Sequence, residues 1–246
     1  MYFKILVVLL LGASVGYSKR LPMPPYLKAC ARNRPDFDEC CLRSGKAAIP
    51  TLIKGDKKYD IPNMLPLVIP IIKLESGPDF SLTVKDLHVY GLQTAELLKL
   101  KMDLNNKKLY AQVLINRLEL VGPYDINGRI LVIPLQGKGD LNVTIDGVTA
   151  DYNSDFVLKQ KEGREHMAVT NSRTSIVVKK AYLHLTNLFN GNKELGETTN
   201  KALNDNWEQV LDALRPVITE TITKLVNSIA DGLMGHISYE DMFSEK

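Results

Sequence analysis

From Asp79 onward, apolar and polar residues alternate with a period of two. Phe80, Leu82 and Val84 share one face, and after a slip in phase Leu87 and Val89 continue it. Leu98, Leu100, Met102 and Leu104 form the next set. Leu109, Ala111, Val113 and Ile115 follow, with a second slip to Leu118 and Leu120. Tyr124, Ile126, Gly128, Ile130 and Val132 come after Pro123, then Leu141, Val143 and Ile145, and Tyr152, Phe156 and Leu158 close the series. Such alternation predicts antiparallel strands with one buried face. The slips predict β-bulges, which bend a strand and increase its twist, so the expected sheet is strongly curved. Upstream, Pro50, Pro62, Pro66, Pro70 and Pro78 predict extended, edge-like or loop structure.

The period changes near the C-terminus. Leu203, Trp207, Val210, Leu211, Leu214, Ile218, Ile222, Leu225, Ile229 and Leu233 fall three or four residues apart. Thr198 and Thr199 can cap the start, Gly232 and Gly235 can stop it, and the stripe predicts about 45 Å of helix at 1.5 Å per residue. Pro216 lies inside this run and predicts a kink. A curved sheet with one apolar face must be covered, and this helix is the candidate of sufficient size. A shorter stripe of Phe37, Cys41, Ala48 and Leu52 predicts a helix over residues 36–54. The fold class is α+β: a strongly curved antiparallel sheet around one long C-terminal helix, with a short N-terminal helix.

The first eighteen residues read differently. Lys4 precedes the apolar run Ile5 to Leu11, and Gly12, Ala13, Ser14, Gly16 and Ser18 follow. A cation, a short apolar run and a small-residue exit predict a secretory signal peptide over residues 1–18, cut after Gly16 or Ser18. The run is too short to span a bilayer, which takes roughly 20 residues. Residues 19–246 are expected to form a single domain, secreted and extracellular.

Composition narrows the function classes. The 246 residues carry 31 Lys+Arg and 28 Asp+Glu, a net charge of +3. That balance excludes a disordered chain and lacks the concentrated basic face of a nucleic-acid binder. Cys30, Cys40 and Cys41 are the only cysteines. Cys30 can pair with either of the others, whereas a vicinal Cys40–Cys41 bridge would be strained. The stripe places Cys41 toward the core and leaves Cys40 free to meet Cys30. Three clustered thiols without a neighbouring histidine are too few for a metal site.

The catalytic motifs G-x-S-x-G, H-E-x-x-H and the P-loop are missing. His88, His166, His184 and His236 are scattered, and Glu162 to His166 reads as a solvated hairpin turn. Asn142-Val143-Thr144 is the one N-glycosylation sequon, with Asn142 as acceptor. These observations predict a protein without enzymatic activity, cofactor or metal.

Several stretches resemble the takeout and juvenile hormone-binding protein family of secreted insect proteins. Cys30-Ala31-Arg32-Asn33-Arg34-Pro35-Asp36-Phe37-Asp38-Glu39-Cys40 is similar to its N-terminal cysteine pair. Gly122-Pro123-Tyr124-Asp125-Ile126-Asn127-Gly128-Arg129 with Pro134-Leu135-Gln136-Gly137-Lys138-Gly139 resembles its central hairpin. The run Asn187 to Gly196 and Leu203-Asn204-Asp205-Asn206-Trp207 resemble the approach to its last helix. The resemblance implies a sheet wrapped around a long helix, of the lipid-binding super-roll type, with an elongated apolar cavity for a small lipophilic ligand. Moth juvenile hormone carriers have a second disulfide further along; here no cysteine follows Cys41, which places the chain nearer the takeout branch. A tyrosine that meets the polar end of the hormone in those carriers aligns closest to Ser154, with Tyr152 two residues away on the same strand face.

The expected function is a secreted, monomeric carrier of a juvenile hormone-like terpenoid, fatty acid or semiochemical, with no stable insertion into membranes. Candidate wall residues are Leu82, Val84, Val113, Ile115, Ile130, Val132, Tyr152 and Phe156 from the sheet, and Trp207, Leu211, Leu214, Ile218 and Ile222 from the helix. The alternative is a secreted signalling protein that acts through a receptor-binding surface and carries no cargo.

Overall fold

The computed structural model describes residues 21–75 and 80–245; the expected signal peptide lies outside them. Helix α1 (Phe37–Leu52) is followed by strands β1 (Leu67–Glu75), β2 (Ser81–Tyr90), β3 (Ala95–Asp103), β4 (Lys108–Ile130), β5 (Ile133–Lys161) and β6 (Arg164–Leu185). Helices α2 (Lys193–Asp205), α3 (Trp207–Met234) and the single turn α4 (Tyr239–Met242) complete the chain. The strands form one antiparallel sheet in the order β1-β2-β4-β5-β6, with β3 pairing on β4.

The alternating sets Leu109 to Val132 and Leu141 to Leu158 are not separate short strands. They merge into β4 and β5, of 23 and 29 residues, which run side by side from Lys108↔Asp155 to Ile130↔Ile133. β6 follows where the alternation seemed to end. Its inner face carries Ser172 and Thr174 between apolar neighbours, and this polar content hides the period of two.

The first slip is a bulge, with the β2–β4 register shifting between Val84 and His88. The second is of another kind. β4 and β5 stay in register, and both chains turn over together where Asn116 and Arg117 are exposed and Gly147, across the ladder, has φ +64°. A third irregularity, between Leu97 and Lys99 in β3, turns Leu98 outward and leaves Leu97, Leu100 and Met102 inside.

The C-terminal rod is two helices. Asn192, not Thr198 or Thr199, caps α2 by accepting a hydrogen bond from the Leu195 amide at 3.1 Å. The chain breaks at Asn206, while α3 continues through Pro216. α2 closes the free edge of β6. The Asn204 side chain accepts from the Leu183 amide and donates to its carbonyl, and Asn200 does the same for Leu185, at 2.7–2.9 Å. Two asparagines one helical turn apart thus stand in for a neighbouring strand.

At the opposite end, the Cys30–Cys40 disulfide ties the N-terminal segment to α1, with Cα atoms 5.8 Å apart. Cys41 and Ala48 are buried as the stripe requires, and burial pushes the Cys41 thiol up to about 12. The C-terminal tail lies against this segment. The Cys30 amide donates to the Met242 carbonyl, the Arg32 amide to that of Ser244, and Phe37 meets Phe243 edge-on at 5.7 Å.

Two glycines test the packing in opposite directions. A Cβ at Gly232 would lie 2.2 Å from the Tyr59 carbonyl oxygen, whereas at Gly196 in α2 it would make ordinary contact with Leu188 at 3.8 Å. In chemical denaturation Gly232→Ala should cost about 1–3 kcal/mol despite its better helix propensity. Gly196→Ala should gain about 0.5–1 kcal/mol.

Alkali gives a second test. The buried Tyr124 hydroxyl donates to the Thr186 carbonyl at 2.6 Å, and burial, assisted by Asp140, pushes the phenol up to about 12. Folding favours the neutral phenol, so its contribution is complete below the ordinary value of about 10 and is lost as pH rises toward 12. Stability should therefore fall over that window, and less steeply in Tyr124→Phe. Tyr26 and Tyr59, raised first by burial, keep a residual slope.

Candidate functional site

Two helices sit on the same face of the sheet. α1 packs on β3 and α3 on β6. Leu97, which faces α1, pairs directly with Val113 of β4, and Val113 pairs with Ala150 of β5. Tyr152 is two residues along the same face and pairs with Thr174 of β6, beneath α3. Strands β4 and β5 therefore form the floor of a trough walled by α1 on one side and α3 on the other.

α3 is attached to β6 along a polar edge. The Arg215 guanidinium donates to the Ile176 carbonyl at 2.8 Å, the Thr223 hydroxyl to Thr174 at 2.8 Å, and the Asn227 amide to the Ser172 hydroxyl at 2.8 Å. Asn227 also accepts from the Tyr152 hydroxyl at 2.7 Å, reaching past β6 to β5. At 100° per residue, Leu211, Leu214, Ile218, Ile222 and Leu225 lie about 100–180° around the helix from Thr223. The apolar stripe is thus turned away from the groups that fasten the helix.

The predicted wall residues divide into three groups. Val84, Ile130, Tyr152, Phe156 and Trp207 are buried. Leu82 and Leu214 are half-buried and rest on the packed core. Val113, Ile115, Leu211, Ile218 and Ile222 are half-buried and stand outside the packed cluster of described residues. Val132 does not belong with the wall. It occupies the tip of the β4–β5 hairpin and is 89% exposed, because the chain reverses there and carries Ile130 and Ile133 inward in its place.

Tyr152 and Ser154 project from the same face of β5, at a register shift between Asn153 and Asp155. Burial raises the Tyr152 phenol above its ordinary range, so it remains a neutral donor. The Ser154 hydroxyl is 4% exposed as a residue and lies beside the Tyr152 hydroxyl, without a well-aligned hydrogen bond among the described residues. A buried polar group in that condition costs about 1–3 kcal/mol. Ser172, Thr174, Thr223 and Asn227 escape a search for apolar periodicity. The signal that could have found them is the polar series Arg215, Thr219, Thr223 and Asn227, spaced four apart along α3.

Among the described residues no group of three or more His, Cys, Asp or Glu could hold a metal. No helix among them is long and apolar enough to cross a membrane. The Asn142 side chain is exposed on β5 and donates to Glu119 at 3.4 Å.

The family model described as haemolymph juvenile hormone binding protein matches residues 5–244. The circadian clock-controlled protein daywake of Drosophila melanogaster is 27% identical over 243 residues, covering 94% of this chain and 92% of the relative. The daywake protein of Drosophila yakuba is also 27% identical, over 241 residues, covering 93% and 90%. Among solved structures, Takeout 1 of Epiphyas postvittana superimposes with a TM-score of 0.79 at 24% identity, covering 89% of this chain and all of that one. The match of fold agrees with the curved sheet and long C-terminal helix derived above, and the chain belongs to the haemolymph juvenile hormone binding protein family.

Proposed function

We propose that this chain is a secreted, non-enzymatic carrier that holds one small lipophilic molecule in the trough between α3 and the β4–β5 floor. The observation that carries this reading is the attachment of α3 by its polar edge. Val113, Ile115, Leu211, Ile218 and Ile222 are left half-buried, where a filled seam would bury them. Burying apolar ligand surface is worth about 25 cal/mol per Å2, so a few hundred Å2 gives micromolar affinity after association costs. The family description supports a juvenile hormone-like terpenoid as one cargo class, beside fatty acids and semiochemicals. Residues 1–18 act as the secretory leader, and residues 19–246 work as a single monomeric domain.

Ser154 orients the cargo. A ligand oxygen that reaches Ser154 would give a well-aligned partner to a hydroxyl that has none, while Tyr152 stays committed to Asn227.

Displacement of a fluorescent fatty-acid probe tests the site. Ile222→Asp should reduce affinity at least tenfold, because a carboxylate would have to be desolvated against the ligand. Unchanged displacement in a folded variant would contradict the site. Ser154→Ala should raise the stability of the ligand-free protein by about 1 kcal/mol. It should weaken an oxygen-bearing ligand and leave a plain hydrocarbon unaffected; equal loss for both would show that Ser154 only packs.

A further inference from the structure

We infer that the cleft between α1 and β3 is a second ligand site, for a small amphiphile with an apolar tail and a hydrogen-bond-donating head such as a medium-chain alcohol. The cleft measures about 310 Å3 and contains none of the candidate wall residues, although its Ala95 and Leu97 pair with Ile115 and Val113 of the trough. Its apolar lining is Ile49, Pro50 and Ile53 from α1 with Ala95, Leu97 and Leu98 from β3, and Lys46, Gln93 and Glu96 complete it. At roughly 30 Å3 for each water-sized group, it accommodates about ten heavy atoms.

Three local departures from regular structure meet here. The shift between Leu97 and Lys99 turns Leu98 outward, 37% exposed, at the rim of the cleft it helps to line. Pro50 lies inside α1 and has no N–H, so the Lys46 carbonyl loses its helical donor in the turn that walls the cleft. Gly45 marks the close contact of helix and strand beside the cleft, since a Cβ there would lie 2.7 Å from Leu97 Cδ2. The result is an apolar surface of ligand size beside a backbone carbonyl to which Pro50 cannot donate. A ligand hydroxyl matches that acceptor, and its alkyl chain covers Ile53, Leu97 and Leu98. This site does not depend on the carrier reading of the trough.

Methyl NMR of the full chain, labelled at isoleucine and leucine and titrated with 1-decanol, separates the two sites. Saturable shifts are expected at Ile49, Ile53, Leu97 and Leu98, whatever happens at Ile115 and Ile222. The ether 1-methoxydecane, which has the tail but no donor, should bind the cleft about three- to tenfold more weakly, the share of one hydrogen bond. Ala95→Phe should fill the cleft and remove those four shifts; if it does not fold, Leu98→Lys serves the same purpose. Absence of cleft shifts at saturation, shifts that persist in both variants, or equal affinity for alcohol and ether would overturn the proposal. Loss of the Ile115 and Ile222 shifts alone would instead count against the trough.

Discussion

The structure depends on how α3 is held. An amphipathic helix on a sheet ordinarily buries its apolar stripe directly against the strand beneath it. Here Arg215, Thr223 and Asn227 bond to β6 and β5 instead, and of the stripe Leu211, Ile218 and Ile222 stand outside the packed core while Val210, Leu214 and Leu225 join it. These hydrogen bonds are partly buried and directional, so together they fix the helix rotation. Leu211, Ile218 and Ile222 stay half-buried while the helix is anchored.

Around that seam the molecule is closed firmly. Asn200 and Asn204 satisfy the backbone at the edge of β6, α1 packs on β3, and the disulfide and C-terminal tail bind one end together. The fully buried side chains, among them Tyr59, Leu135, Met167, Leu188, Leu203 and Ile237, lie outside the group of half-buried trough residues. On the carrier proposal, a firm frame around half-buried apolar residues would let a ligand enter without repacking the core.

Much of this frame was legible along the chain. The alternation from Phe80 onward contained the sheet, the bulge near Val84 appeared as a slip in phase, and the Cys41 stripe selected Cys40 as the partner of Cys30. β6 was hidden because its inner face is polar where α3 docks, so the same hydrogen bonds that orient the helix erased the periodicity of its strand. The break at Asn206 also escaped notice: the apolar spacing from Leu203 to Trp207 persists across it, and spacing alone cannot report a backbone turn. Val132 was misplaced because alternation does not announce where a hairpin reverses. The wall itself was only partly readable, since Val84 and Val113 look alike in sequence and differ only in what packs against them.

The most direct test is native mass spectrometry of the protein isolated from its native source, without delipidation. If the stripe of α3 and the β4–β5 floor shelter a guest, the folded protein should carry one additional mass that organic extraction releases as a lipophile. A folded protein found only at the mass of its own chain and its covalent modifications, and unable to acquire a lipophile afterwards, would contradict the account.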